Sequence, residues 1–185
     1  VTEKHLLMAG GGWTRCGDLK VGDRLALARK IPEPDAPQEW PDLRVALLGQ
    51  MIGDGSFLKG QPMRYTTESA ENSEIVRLAA EQEFGCEVKR YKGRRNWHQL
   101  LISGNGTRWQ PAGVNAWLRE LGLFDCRSHE KHIPAEAFTL SDRQVALLLQ
   151  HLWATDGTIY TRPRGARGSH AIHFSTHSRQ LAEDL

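Results

Sequence analysis

LLGQMIGDGS at residues 47–56 and LQHLWATDGT at residues 149–158 share one pattern, an apolar run of about two helical turns that ends in Asp-Gly and a small hydroxyl residue. A helix that is apolar nearly all round must be buried. A carboxylate at the end of a buried helix is costly unless it serves a metal ion or a hydrogen-bond network. Two such helices packed together would bring Asp54 and Asp156 to one spot, which suits a divalent cation and phosphodiester chemistry.

Gly49 and Gly53 support this packing, because residues four apart lie on the same face of a helix and glycines there let two backbones approach closely. The alternative is that each Asp-Gly is only a turn between a helix and a strand. The presence of two copies favours the paired carboxylates over the turn.

The pattern around the two stretches predicts an α/β fold with a repeated unit. We expect the first repeat at residues 43–122 and the second at residues 141–185, where it is cut off in its second helix. Residues 1–40 have the strand and turn character of part of an all-β domain, including a short strand at residues 25–28, and the proline-rich residues 31–42 mark the boundary. The predicted helices are 43–53, 73–84, 111–121, 141–155 and one from 178; the predicted strands are 63–67, 86–92, 97–103, 157–162 and 170–176.

Charge is unevenly distributed in this chain of 185 residues and net charge +2. Two predicted hairpin turns concentrate basic residues, as expected for a surface that binds a polyanion. The alternative is that both turns are merely solvated. The first turn carries Lys89, Arg90, Lys92, Arg94 and Arg95, and the second carries Arg162, Arg164 and Arg167.

The remaining composition predicts a cytoplasmic protein without a membrane partner. No apolar run reaches the roughly 18 residues of a membrane span, and there is no signal-peptide pattern. Three scattered cysteines fit a reducing compartment and argue against a disulfide framework. Because the chain begins at Val1, we expect it to be a piece of a longer protein.

These motifs together resemble an intein that carries a LAGLIDADG (dodecapeptide, DOD-type) homing endonuclease. LLGQMIGDGS and LLQHLWATDGT are similar to the two dodecapeptide helices, and KHIP at residues 131–134 is similar to the short Lys-x-x-Pro block between them. TEKH at residues 2–5 resembles the Thr-x-x-His block of a splicing (Hint) domain, and WTRCGDLKVGDRL at residues 13–25 resembles the stretch that follows it. Residues 13–33 are also similar to inteins of bacterial replicative helicases.

The resemblance implies a pseudo-twofold αββαββα endonuclease that makes magnesium-dependent double-strand breaks in the intein-less allele of the host gene. It implies that Asp54 and Asp156 bind Mg²⁺ and that Lys131 assists the chemistry. Thr2 and His5 would polarise the upstream splice junction. The expected partners are double-stranded DNA, contacted by the eight basic residues of the two turns, and the host-protein exteins. We expect the chain to be a monomer.

The sequence departs from the family pattern in two respects. It lacks the Cys or Ser that opens an intein and the His-Asn pair that closes one, so splicing is expected only in the intact precursor. His151 stands where many second dodecapeptides have Gly, which places the tight helix approach in question.

Four alternatives stay open at the level of sequence. The endonuclease domain could have lost cleavage and kept DNA binding, it could be an RNA maturase on the same fold, or the chain could serve splicing alone. The spacing of Cys126, His129 and His132 also allows a zinc site, although a fourth ligand is missing.

Overall fold

The computed structural model describes residues 2–27, 32–93, 96–162 and 169–185. The chain divides into two compact units, Val1–Glu33 and Pro34–Leu185. The second unit therefore begins inside the proline-rich segment that the sequence marks as a boundary.

The first unit contains one antiparallel hairpin. Strands β1 (Leu6–Ala9) and β2 (Gly12–Arg15) pair with Leu6 opposite Arg15, and a short 3-10 helix follows at Cys16–Asp18. Leu25 forms only an isolated bridge with Ala9. The strand predicted at residues 25–28 is therefore wrong over its described part, residues 25–27, and Ala28 lies outside the described residues.

The second unit opens with the first repeat of helices and strands. Its elements are α1 (Asp42–Asp54), β3 (Gly55–Ser56), β4 (Met63–Thr67), α2 (Ala70–Phe84), β5 (Glu87–Lys92), β6 (His98–Ser103) and α3 (Gly113–Glu120). Helix α2 begins earlier than the predicted residue 73, because Ser69 is its N-cap: the Ser69 hydroxyl accepts from the Asn72 amide at 3.1 Å. The helix ends at the predicted residue 84, and Gly85 caps it in the left-handed region at φ 61°.

The four strands of this repeat form an antiparallel sheet in the order β3-β4-β6-β5. Successive residues of a strand point to opposite faces. Met63, Tyr65, Leu100 and Ile102 are buried on one face. Arg64 and Thr66 are exposed on the other. The sheet therefore covers the core with one face and presents the other to solvent.

The second repeat follows a 3-10 helix at Ala135–Thr139. It consists of α4 (Asp142–Asp156), strands β7 (Gly157–Tyr160) and β8 (Ala171–Phe174), which pair with Gly157 opposite Phe174, and α5 (Arg179–Asp184). Ser178 caps α5 through its hydroxyl, which accepts from Leu181 N at 3.1 Å. In chain order these elements match α1, β3, β4 and the start of α2.

Helices α1 and α4 pack closely along their length. A Cβ added to Gly49 would lie 2.8 Å from the Leu148 carbonyl oxygen, and one added to Gly53 would lie 2.0 Å from Thr155 Oγ1. A larger residue at either position would clash with α4, so this approach requires glycine there. The helices are packed closely although His151 stands where a second glycine is usual. At the other end, Arg143 holds Asp42 through two hydrogen bonds of 2.8 Å, and this pair fixes the helix starts together.

The two helices differ in burial. Every residue of α1 from Val45 to Ile52 is buried, as predicted for a helix that is apolar all round. In α4 only one face is buried, at Gln144, Leu148, His151 and Leu152. The expectation of a fully buried second helix was therefore wrong, because the other apolar side of α4 faces the open hairpin in which Ile159 and Ile172 are each 68 % exposed.

The mixed α/β fold class is confirmed, with helices packed on antiparallel strands. Over the described residues, no helix combines the length and apolar character that a membrane crossing requires.

The close approach of α1 and α4 predicts the sign of one substitution. In a helix without close neighbours, Gly→Ala is stabilising by about 1 kcal/mol. For Gly49→Ala we expect instead a loss of about 1–3 kcal/mol in the free energy of unfolding, because the new methyl meets α4 backbone that cannot move aside. Urea unfolding measures the change, and Gly11→Ala, whose Cβ meets nothing within 4 Å, is the control. A more stable Gly49→Ala protein would contradict the packing.

Candidate functional site

Asp54 and Asp156 are the last residues of α1 and α4. The same helix end places both carboxylates, because each helix passes directly into a short strand at Gly55 or Gly157. Asp54 is partly buried and Asp156 is exposed. The structure brings the two predicted carboxylates into electrostatic contact at one end of the helix pair.

Two effects raise the pKa of Asp54 to about 6. The larger effect is burial, which disfavours the charged carboxylate, and the negative charge of Asp156 adds to it. The Lys131 ammonium opposes both effects. Because ionisation of both carboxylates is unfavourable here, a bound cation would stabilise the charged pair.

Lys131 packs against the end of α1 and is only 7 % exposed. Its Nζ donates to the carbonyl oxygens of Met51 at 3.3 Å, Gly53 at 2.9 Å and Gly55 at 2.8 Å. Burial lowers the pKa of Lys131 to about 8, and the two aspartates act in the opposite direction. The ammonium thus binds carbonyls at the end of the helix and just beyond it, and it fixes the backbone on both sides of Asp54.

The KHIP block is anchored to α5 as well. The Lys131 carbonyl accepts from Ser178 Oγ at 2.6 Å, and Ile133 N donates to Asp184 at 2.8 Å. The block therefore connects the end of α1 with the second repeat.

Sequence reasoning missed a buried polar network between the helices. Gln50 Nε2 lies 3.2 Å from His151 Nδ1, and Tyr65 donates its hydroxyl proton to Gln50 Oε1. Burial lowers the pKa of His151, so the neutral ring accepts from the amide. In the sequence Gln50 lies four residues before Asp54 and His151 lies five residues before Asp156, so the two polar residues are one position apart in the two dodecapeptides. At the position where many second dodecapeptides have glycine, His151 thus forms a hydrogen bond with α1.

The carboxylate pair fits a hard divalent cation, since both groups offer oxygen ligands and repel each other without one. Among the described residues there is no group of three or more His, Cys, Asp or Glu side chains that could hold a metal ion. Cys126, His129 and His132 all lie within that part of the chain, so the zinc alternative has no support.

The predicted basic residues of the first turn are divided between two faces of the sheet. Lys89 lies opposite Leu101, which lies opposite Arg64, so these three form a row on the open face. Arg90 and Lys92 alternate with Lys89 and point to the other face, at the exposed sheet edge. Arg64 was missed because the sequence alone does not give the register that aligns it with Lys89.

Of the five other predicted basic residues, the structure describes one. Arg162 is exposed after β7. Arg94, Arg95, Arg164 and Arg167 lie outside the described residues.

Thr2 and His5 lie in the first unit and are exposed. His5 N donates to the Thr2 carbonyl at 3.0 Å, so residues 2–5 form a tight turn. The His5 carbonyl accepts from Cys16 N at 2.7 Å and so ties this turn to the end of β2.

Comparison with known families identifies the second repeat. Residues 143–185, which contain α4, β7, β8 and α5, match the model of the LAGLIDADG-like domain. This part of the chain is similar to the LAGLIDADG-like domain family. The predicted resemblance is thereby confirmed, and Asp156 of the second dodecapeptide lies inside the matched region.

Curated relatives match the chain from end to end. It is 36 % identical to the replicative DNA helicase DnaB of Rhodothermus marinus over 189 residues, covering 100 % of this chain and 20 % of the relative. It is 35 % identical to DnaB of Nostoc sp. (strain PCC 7120) over 100 % of this chain and 21 % of that relative. RecA of Mycobacterium tuberculosis is 28 % identical, again over 100 % of the chain and 23 % of the relative. The chain spans about a fifth of the length of the DnaB relatives.

Among solved structures, I-DmoI in complex with DNA and Mn is similar at 16 % identity and a TM-score of 0.36, with 63 % of each chain covered.

The raised pKa of Asp54 predicts how a neutral replacement changes stability with pH. Since the folded pKa of about 6 lies above the ordinary value of 3.8, the folded state binds more protons between these limits. Stability contributed by this group is therefore lost as pH rises from about 4 to 6 and stays lost above.

Asp54→Asn removes this cost, so at pH 8 we expect its free energy of unfolding to exceed that of wild type by about 1–2 kcal/mol. At pH 4 the gain should vanish. Urea unfolding at both pH values measures it, with the exposed Glu120→Gln as control. An Asp54→Asn protein that is no more stable at pH 8 than at pH 4, relative to wild type, would show that the pKa of Asp54 is not raised in the folded protein.

Proposed function

We propose that this chain is a large part of an intein whose LAGLIDADG-like domain is a site-specific homing endonuclease. Its unit Pro34–Leu185 would bind double-stranded DNA and cleave both strands with Mg²⁺. The observation that carries this proposal is the pairing of Asp54 and Asp156 at the ends of two tightly packed helices. Retention of both carboxylates also favours an enzyme over a domain that only binds DNA.

The relatives support an insertion in host proteins. The whole chain aligns with about a fifth of two DnaB helicases and also with about a quarter of a RecA protein. One segment shared by proteins of different names is what a mobile insert would produce. The resemblance of residues 2–5 and 13–25 to a splicing domain accounts for the part before Pro34.

Chemistry at the carboxylate pair follows from the placement of three side chains. Asp54 and Asp156 would hold a divalent cation, which would supply Lewis-acid stabilisation of the phosphodiester under attack. Lys131 holds the backbone around Asp54 and offsets part of the negative charge. Its ammonium would also favour the negative charge that develops on phosphorus oxygens. Burial of Asp54 removes competing water and strengthens these interactions.

DNA would lie along the open face of the sheet β3-β4-β6-β5. Two rows of side chains cross this face, Ser56–Arg64–Leu101–Lys89 and Thr66–Gln99–Tyr91. Arg and Lys suit phosphates and guanine edges, and Gln suits adenine edges. The major groove admits a two-stranded antiparallel ribbon, and β4 and β6 at the centre of the sheet form such a pair.

The first testable consequence concerns cleavage. Asp54→Asn and Asp156→Asn should each reduce cleavage of a duplex carrying the intein-less host sequence by at least ~10³-fold, comparable to loss of a central electrostatic group. Binding to the same duplex should stay within a few fold. The measurement is single-turnover cleavage with Mg²⁺, and Glu120→Gln is the control. Wild-type rates in either aspartate variant would remove the paired carboxylates from the mechanism.

A second consequence concerns salt dependence. The slope of log K against log salt changes by about 0.9 for each phosphate neutralised. Arg64→Ala with Lys89→Ala should make the slope shallower by about one to two units. Arg143→Ala is the control, because that arginine is bound to Asp42. If the double variant kept the wild-type slope, the duplex would have to follow another surface.

A third consequence concerns splicing in the intact precursor. His5 would donate to the scissile amide and protonate the leaving amine, with Thr2 beside it in the turn. His5→Ala should block the first splicing step, seen as accumulation of unspliced precursor on a gel, and leave nuclease activity measurable. Normal splicing of this variant would mean that the Thr-x-x-His turn has no such role.

A further inference from the structure

A second basic surface lies at the end of the sheet where β4 begins and β6 ends. It is a cavity of about 680 Å³ lined by the loop at residues 58–61, the loop at residues 105–108, and Asn115, Arg119, Phe124 and Asp125. Lys59, Arg108 and Arg119 are the cations in this lining, and Asp125 is the only acid in it. We call this cavity, with its cations Lys59, Arg108 and Arg119, the basic end pocket.

The cations of the basic end pocket have no carboxylate partner among the described residues. Arg44, Arg77, Arg143 and Arg179 each form an ion pair with an acidic side chain. Over the ranges 32–93, 96–162 and 169–185, Lys59, Arg108 and Arg119 form none. Three cations gathered around one concavity without partners create a positive potential that an anion would lower.

The walls of the pocket are fixed by contacts that do not consume this charge. Asp125 accepts from Lys59 N at 2.9 Å and donates its own amide to the Phe57 carbonyl at 3.2 Å. Asp125 adopts φ 74°, a costly conformation for a residue other than glycine. Arg119 stacks over the Phe124 ring at 3.7 Å and donates through Nε to Asn115 at 2.6 Å. A guanidinium held in this way keeps its outer donors in a set direction.

The pocket adjoins a groove at the end of the sheet. A neighbouring groove is lined by Leu101 and Ser103 of β6, and it shares Gln61, Asn105, Gly106, Asn115 and Phe124 with the pocket. Leu101 lies in the same row as Arg64 and Lys89. A polyanion on the open face would therefore reach Lys59, Arg108 and Arg119 as it leaves the sheet.

We propose that the basic end pocket binds backbone phosphates of the duplex where it runs past the end of the sheet, and so extends the DNA path beyond the open face. This rests on the proposed DNA binding. The ligand chemistry is the phosphate group, and a phosphate diester of DNA is favoured over free phosphate because the groove joins the pocket to the sheet. The contacts would add affinity without reading sequence.

The test compares mixed-sequence 30-base-pair DNA binding by the full chain at several salt concentrations. Lys59→Gln, Arg108→Gln and Arg119→Gln combined should make the slope of log K against log salt shallower by about two to three units, at about 0.9 per phosphate. A triple variant of Arg77, Arg143 and Arg179 to Gln removes the same charge from ion-paired positions and should leave the slope within about half a unit. Arg108→Gln alone, in an exposed loop, should lower it by about 0.9, which keeps the test valid if the triple variant unfolds.

Three outcomes would overturn the inference, and they are distinguishable. An unchanged slope in the pocket variants, with a reduced slope in Arg64→Ala/Lys89→Ala, would remove the pocket and keep the proposed DNA binding. Absence of DNA binding by wild type would remove both. Tight binding of inorganic phosphate by calorimetry at constant ionic strength, lost in the pocket variants while their DNA slope is unchanged, would identify a small-anion site instead.

Discussion

The contact between α1 and α4 is the constraint on which the rest of the molecule depends. Gly49 and Gly53 bring the two backbones together, and the Gln50–His151 hydrogen bond fills the place where a second glycine would have been. Because the helices meet along their length, their last residues must also meet. The carboxylate pair is thus a product of helix packing rather than of the loops around it, and its precision is that of a packed core.

The site combines electrostatic demands that only a folded protein can impose. Burial and Asp156 oppose ionisation of Asp54, while Lys131 supports it. Lys131 in turn occupies three carbonyl oxygens at the end of α1, so the residue that moderates the charge also holds the backbone that carries it. Altering Lys131 would change geometry and electrostatics together.

Much of this architecture could be predicted from residues, and the exceptions have physical causes. The strand at residues 63–67 was predicted with its bounds, since alternation and flanking turns are local signals. The start of α2 was missed because Ser69, Asn72 and Ser73 are all favourable N-cap residue types, and their sequence alone does not indicate that Ser69 is the cap. The Tyr65–Gln50–His151 network and the row containing Arg64 depend on which strands and helices meet, which no local pattern encodes. For the candidate site, Asp54, Asp156 and Lys131 were predicted to act together, but the way Lys131 is held was not.

Because side chains alternate between the two faces of β4, β5 and β6, the residues that stabilise the fold differ from those that can change without affecting it. Met63, Tyr65, Leu100 and Ile102 belong to the core, whereas Arg64 and Thr66 between them are exposed and Gln99 is partly exposed. Mutations at alternate positions can therefore accumulate at little cost in stability. A lineage of such chains could acquire new ligand preferences one side chain at a time, and each intermediate would remain folded around the same pair of helices.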